Sequence, residues 1–177
     1  MATKAENLII KRVHMHLAII SAVILLAFGC IAFWAHDFVG SMVQSQLSAQ
    51  KIYFPEAGSP SFSPEAYPSL QKYAGQIVDT PEKAKAFAND YIGNHLKHVA
   101  DGKVYSEVSA EAQKDPTNPV LKAQQQTLFQ GETLRGMLLT SGYGFGTIGE
   151  IAGIVTYITF GGGIVMAVVA IALSKRR

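Results

Sequence analysis

Residues 17–34, LAIISAVILLAFGCIAFW, run for 18 positions without a charged side chain, and residues 151–173, IAGIVTYITFGGGIVMAVVAIAL, do so for 23. A helix rises about 1.5 Å per residue, so each run is long enough to cross roughly 30 Å of hydrocarbon. Two such runs near the ends of a 177-residue chain predict an all-α membrane protein. Its transmembrane helices cover 13–36 and 147–173, and a mainly helical extracytoplasmic segment with a Pro-rich loop, 37–146, joins them. Short tails, 1–12 and 174–177, complete the division. Composition agrees, because 49% of residues are hydrophobic and only 16% charged, where soluble proteins average about 25% charged. The mean hydropathy is +0.19. A soluble enzyme core, a disordered tail and a disulfide scaffold are excluded, the last because Cys30 is the only cysteine and lies inside the first apolar run.

Charge sets the orientation. Lys4, Lys11, Arg12, Lys175, Arg176 and Arg177 face one acid in the tails, Glu6, for a net +5. Residues 36–150 hold nine Lys and Arg against twelve Asp and Glu, a net −3. Basic residues stay on the cytoplasmic side, so both termini are expected there and the chain is read as a multi-pass plasma-membrane protein. The basic clusters abut the apolar runs, which makes anionic lipid their natural counterion and leaves no case for nucleic acid. A basic start before an apolar run also fits an export signal, and Cys30 could serve a lipoprotein. Phe28 is too bulky for the small-residue site that lipoprotein cleavage uses, so the run is expected to stay as an uncut anchor.

Between the runs, residues 37–50 hold no proline and only Gly40, so the first helix is expected to continue several turns beyond the apolar run. Residues 53–68, YFPEAGSPSFSPEAYP, then break it with four prolines and read as an irregular loop wrapped over a partner. Thr80-Pro81 is an N-cap followed by proline at the first helical position, and Gly102 closes the helix. Ala84, Phe87, Ala88, Tyr91, Ile92, Leu96 and Val99 share one face of it. Asn118-Pro119 repeats the start signal for a helix running down to Gly142. No strong β alternation or hairpin dipeptide is present.

Several constellations could carry chemistry. His95 and His98, three apart with Asp101 a turn on, have the spacing of a metal pair. No further ligands are nominated, so a packed or partner-facing pair is the preferred reading and no metal is expected. Gly144, Gly146 and Gly149 spell G-x-G-x-x-G, but no strand precedes them and no acid follows at the ribose distance. Residues 140–144, TSGYG, differ at one position from the potassium-filter motif. A pore helix before them would contain Glu132 and Arg135, and Arg beside a cation pathway raises its barrier.

The simpler use of these glycines is helix packing. Gly142 and Gly146, like Gly149 and Gly153, are four apart and let another helix approach closely, within the chain or against a neighbour. Gly161 to Gly163 extend that thin face, and Ser21, Ala22 and Gly29 could match it. Glu150 is expected at the outer interface beside a helix N-terminus, whose dipole favours a carboxylate; a proton relay is its functional reading. Phe33, Trp34, Tyr143 and Phe145 read as an aromatic belt. No catalytic triad, phosphate loop or paired-carboxylate cleft can be assembled, so no catalytic residue and no cofactor is assigned and the chain is read as a non-enzyme.

The run GETLRGMLLTSGYGFGTIGEIAGIV, with YFPEAGSP and YAGQIV upstream, resembles a family of actinobacterial two-span membrane proteins of undefined activity. The matching positions are Leu134, Arg135, Gly136, Leu138, Leu139, Tyr143 and Gly149. The resemblance implies an actinobacterial plasma-membrane protein and supplies no catalytic residues. A ring-opening dioxygenase label carried by some members is not transferred, because the sequence offers no iron triad. The expected function is a non-catalytic accessory or structural subunit of a larger membrane complex, specifically a respiratory (cytochrome) supercomplex, with larger integral membrane subunits and lipid as partners. The alternatives are a pore subunit of a two-span potassium-type channel and a membrane-anchored enzyme.

Overall fold

A computed structural model describes residues 3–175; Arg176 and Arg177 of the basic C-terminal tail lie outside the described residues. The chain is 80% helical with no β-strand among the described residues. Its α-helices are α1 (Lys4–Ala49), α2 (Pro81–Ala86), α3 (Gly93–Val99), α4 (Tyr105–Lys114), α5 (Pro119–Met137) and α6 (Phe145–Lys175). Turns of wider π-helix occupy Phe87–Ile92 and Leu138–Gly144, and a 3-10 turn occupies Pro68–Tyr73. Two helices are long and apolar enough to cross a membrane, Lys4–Ala49 and the helical run Pro119–Lys175. The chain divides into two compact units, Met1–Val39 with Ile148–Arg177, and Gly40–Thr147.

The first unit pairs parts of α1 and α6. Thr3 and Glu6 cap α1 reciprocally: the Thr3 N–H donates to Glu6 Oε2 at 2.6 Å and the Glu6 N–H to Thr3 Oγ1 at 3.3 Å. The bond from the Thr3 backbone, then that from its side chain, holds the Glu6 carboxyl below the ordinary carboxylate value. Every buried described residue of this unit is Ala, Gly or Thr: Ala18, Ala22, Gly29, Gly149, Gly153, Thr156, Gly163 and Ala170. The bulky apolar side chains point outward, Phe28 at 60% exposure, Trp34 at 64% and Ile158 at 68%.

The second unit has an ordinary core. Val43 and Leu47, on the last turns of α1, are buried with Leu70, Val78, Leu96, Val108, Leu128 and Leu138. Lys51 adopts φ +52° just past α1, where the chain turns. The Pro-rich loop, expected to wrap a partner, instead folds back on its own chain. The Phe54 N–H donates to Gln76 O at 2.9 Å and the Val78 N–H to Ile52 O at 2.8 Å, around an antiparallel bridge between Tyr53 and Ile77. Phe54 and Phe62 are buried and pack with Tyr67, Tyr73, Phe87 and Tyr91 at ring-centroid separations of 5.0 to 6.2 Å. Each buried Phe contributes on the order of 1.5–3 kcal/mol of transfer free energy, so this cluster anchors the loop.

Both N-caps form as the local signals indicate. Thr80 Oγ1 accepts the Lys83 N–H at 3.3 Å, and Asn118 Oδ1 accepts those of Val120 and Leu121 at 3.0 and 3.2 Å. The second helix does not stop at Gly142. Helical bonding runs through Leu138–Gly144 as a π turn into α6, because a single Gly in a helix costs only about 1 kcal/mol and neighbouring contacts offset it.

Candidate functional site

The helix pair of the first unit is built on absent side chains. A Cβ added at Gly29 would lie 2.9 Å from the Phe160 ring, and one at Gly163 would lie 2.9 Å from Leu26. Nothing lies within 4 Å of the Cβ position of Gly161, so that glycine faces away from the contact. Beside Gly153, where a Cβ would meet His36 Nδ1 at 3.0 Å, the imidazole of α1 reaches the backbone of α6. His36 Nδ1 sits 2.8 Å from Gly149 O. A carbonyl can only accept, so Nδ1 carries the hydrogen, and in the neutral ring Nε2 holds the lone pair. Thr156, the one buried hydroxyl residue of the unit, donates to Ala152 O at 2.9 Å within its own helix, a common way to satisfy a threonine in apolar surroundings.

In the second unit the other two glycines of the four-residue series receive α2. A Cβ at Gly142 would lie 2.8 Å from the Ala84 Cβ and 3.1 Å from Leu47, and one at Gly146 would lie 2.6 Å from the Pro81 Cβ. Gly131 similarly admits Leu96, whose Cδ1 lies 2.8 Å from the Cβ position. The four glycines singled out for packing thus divide: Gly142 and Gly146 take Ala84 and Pro81, whereas Gly149 and Gly153 take His36.

Arg135 joins α5 to the π turn that follows α2. Its Nε donates to Ala88 O at 3.0 Å, one terminal nitrogen donates to both Glu132 oxygens at 3.0 and 2.8 Å, and the other donates to Asn89 Oδ1 at 3.3 Å. Ala88 O also accepts the Gly93 N–H, the i to i+5 bond of the π turn. A planar fork with five donors suits this task, because it bridges a carbonyl, an amide and a carboxylate at once. Asn89, Gly93, Lys97, Lys103, Glu132 and Arg135 border a cavity of about 270 Å³ there.

The remaining candidates are scattered. His95 is exposed and borders a separate cavity of about 310 Å³ with Ser61, Tyr91, Thr127 and Gln130. His98 is exposed and turns back to Asn94 O at 2.9 Å through Nδ1. Among the described residues no three His, Cys, Asp or Glu side chains gather as a metal group. Glu150 is exposed within continuous helix. No helix starts at Glu150, so no helix N-terminal dipole places its carboxylate there. Tyr143, expected in an aromatic belt, carries the Lys85 ammonium 4.7 Å above its ring.

The two loop-like motifs are helical. Residues 140–144, TSGYG, lie in the π turn, and the Phe145 N–H donates to Thr140 O and Gly142 O, so their carbonyls do not line an extended filter. The G-x-G-x-x-G glycines lie in the same continuous helix, whose N–H groups are engaged internally and form no phosphate cradle. The sequence assigned no bonding role to His36 or Arg135, and Arg135 entered only as a charge unfavourable to a cation pathway and as a position of the family resemblance. The only signal for His36 was an imidazole closing an apolar run, and Arg135 carried none beyond its lone charge in 123–149, apart from Glu132. No protein-family model, curated protein or solved structure matches the chain, and nothing in those comparisons identifies a family for it.

Proposed function

We propose that the chain is a two-span plasma-membrane protein with both termini in the cytoplasm, acting as a non-catalytic accessory subunit of a larger membrane complex. The observation that carries this reading is the inverted first unit, which buries Ala, Gly and Thr and turns its Phe, Trp and Ile outward. An apolar surface of that kind is costly in water and free of cost in lipid or against apolar helices. The basic tails and the acidic middle give the orientation.

Tyr157 favours a protein neighbour over lipid alone. It is 82% exposed and sits roughly 9 Å along the second apolar run from Ile151, where a phenol facing hydrocarbon has no hydrogen-bond partner. A respiratory (cytochrome) supercomplex of an actinobacterial membrane is the assembly this reading names, by analogy of architecture alone. Stoichiometric co-purification with larger, cofactor-bearing integral subunits in mild detergent, read by mass spectrometry, is the expected result. A homogeneous preparation that turns over a substrate or conducts ions by itself overturns the accessory role. Topology is tested in a Cys30→Ala background: a cysteine at Ser61, an exposed position, should react with an impermeant reagent in intact cells and one at Ser174, also exposed, should not, and the opposite pattern overturns the orientation.

A further inference from the structure

We propose that the cavity of about 310 Å³ bordered by His95 binds one neutral ring bearing several hydroxyls, the chemistry of a single pyranose unit. The cavity lies wholly within the second unit, so the inference goes beyond the accessory role and does not depend on the membrane. Ile92, Leu96 and Leu134 supply its apolar surface, and Leu96 lies against Gly131, where the absent side chain lets α3 and α5 meet. Ser61, Tyr91, His95, Thr127 and Gln130 supply its polar groups. The volume falls at the small end of the roughly 300–1,000 Å³ of small-molecule sites, as one ring requires.

The polar groups are uncommitted. None of the five side chains has a hydrogen-bond partner among the described residues, although comparable side chains elsewhere in the chain have one. His98 Nδ1 donates to Asn94 O, and Gln71, Gln76, Gln124 and Gln125 each donate to an oxygen. Thr133, Thr147, Thr156 and Thr159 donate to the carbonyl four residues back, and Thr127 does not. Tyr91 is half-buried, and its ring is held by Phe62, Tyr67 and Phe87 at centroid separations of 5.7, 5.4 and 5.0 Å. A phenol fixed in this way meets a ligand with little further loss of freedom.

The chemistry of the lining selects the occupant. No Lys, Arg, Asp or Glu borders the cavity, so nothing there compensates the lost hydration of a charged ligand. Hydroxyl, amide and neutral imidazole groups each donate and accept, as ligand hydroxyls do. They come from three segments, the Pro-rich loop, the π turn with α3, and α5, and so approach a ligand from more than one side. A ring with an apolar face and hydroxyls along its edge satisfies both surfaces. An aromatic ring with a single oxygen would cover the apolar side chains but leave most of the polar groups dry and unpaired, which is unfavourable.

The test uses the full chain, purified in a mild detergent without a sugar headgroup. Saturation-transfer NMR titrations with the methyl glycosides of glucose, galactose and mannose, and with benzyl alcohol, give the Kd of each. At least one glycoside should bind, and more tightly than benzyl alcohol. Tyr91→Phe keeps the ring in its cluster and removes the hydroxyl, so it should weaken that glycoside by about three- to tenfold, the worth of one neutral hydrogen bond. Thr127→Val should do the same. Ser61→Trp, at an exposed position, should obstruct the cavity and abolish binding, whereas Thr133→Val, outside the lining, should change nothing. Because Tyr91 belongs to a packed cluster, Thr127→Val and Ser61→Trp carry the decision if Tyr91→Phe fails to fold. Absence of binding by all of the glycosides, tighter binding of benzyl alcohol, or glycoside binding that survives both Thr127→Val and Ser61→Trp overturns the site. The measurement reads the chain alone, so its outcome is separate from that of the co-purification test.

Discussion

The two units bury opposite kinds of residue. In the second, Phe54, Phe62, Leu70, Val78, Val108, Leu128 and Leu138 are almost completely shielded; in the first, the shielded residues are Ala, Gly and Thr, and the large side chains lie outside. The proposed placement of the first unit in a membrane would account for the difference. Where water surrounds the fold, removing bulky apolar area from it drives packing, at about 25 cal/mol per Å². Where hydrocarbon surrounds it, that gain vanishes, and helices associate through dispersion and interhelical hydrogen bonds that only close backbones permit. His36 on Gly149 O is such a bond, and Gly153 makes room for it.

The sharpest test of this contrast is Phe62→Ala against Phe28→Ala. Phe62 is fully buried, so its truncation should cost about 3–5 kcal/mol, whereas Phe28 is 60% exposed and its truncation should cost less than about 1 kcal/mol. Denaturant titration of the full chain in micelles measures both, and equal losses would erase the distinction.

Gly163→Leu against Gly161→Leu probes the helix pair itself. At Gly163 a Cβ collides with Leu26, whereas at Gly161 it meets nothing. The first substitution should cost about 1–3 kcal/mol and lengthen the distance between spin labels on α1 and α6, while the second leaves it unchanged. If both behave alike, the close approach is not what holds the helices.

Smaller effects belong to the second unit. Thr80→Ala removes the cap of α2 and should cost about 1 kcal/mol, read as faster amide exchange at Lys83, whose N–H it receives. Protection unchanged at Lys83 would show that the packing of Ala84 and Pro81 on the glycines holds α2 without its cap. The smallest effect is Lys103. Its bond to Glu111, with lesser help from the charges of Glu111, Asp101 and Glu107, raises its pKa above the ordinary 10.5. A raised lysine contributes in full below its ordinary value and loses the contribution as pH climbs through the raised one. Both partners are solvent-exposed, so Lys103→Met should leave stability unchanged at neutral pH, and a clear loss there would show the pair to be more than a surface contact.

Local physics made several elements legible. Thr80-Pro81 and Asn118-Pro119 start helices because an oxygen acceptor beside a proline satisfies or removes the orphan donors of a first turn. The stripe of Ala84, Ala88, Ile92 and Leu96 turned inward because its period is that of the helix. The cap at Thr3 and Glu6 follows from the same kind of local signal, Thr-x-x-Glu. Phe54, Phe62 and Tyr67 carry no such period, and the four prolines around them signal only an irregular loop. Their partners, Phe87 and Tyr91, lie more than twenty residues away, and no local pattern encodes that distance.

The helical content, the two apolar runs, the helix starts and the four-residue spacing of glycines are local properties of the chain, because each depends on a residue and its neighbours within two turns. What those glycines meet is set by long-range packing: Ala84 and Pro81 at Gly142 and Gly146, His36 at Gly149 and Gly153. The same packing brings Arg135 to Ala88 O and keeps TSGYG helical. A missing side chain permits close approach from any direction, and a guanidinium fork accepts several acceptors. Which neighbour arrives is set by packing between segments far apart in the chain, where spacing carries no information.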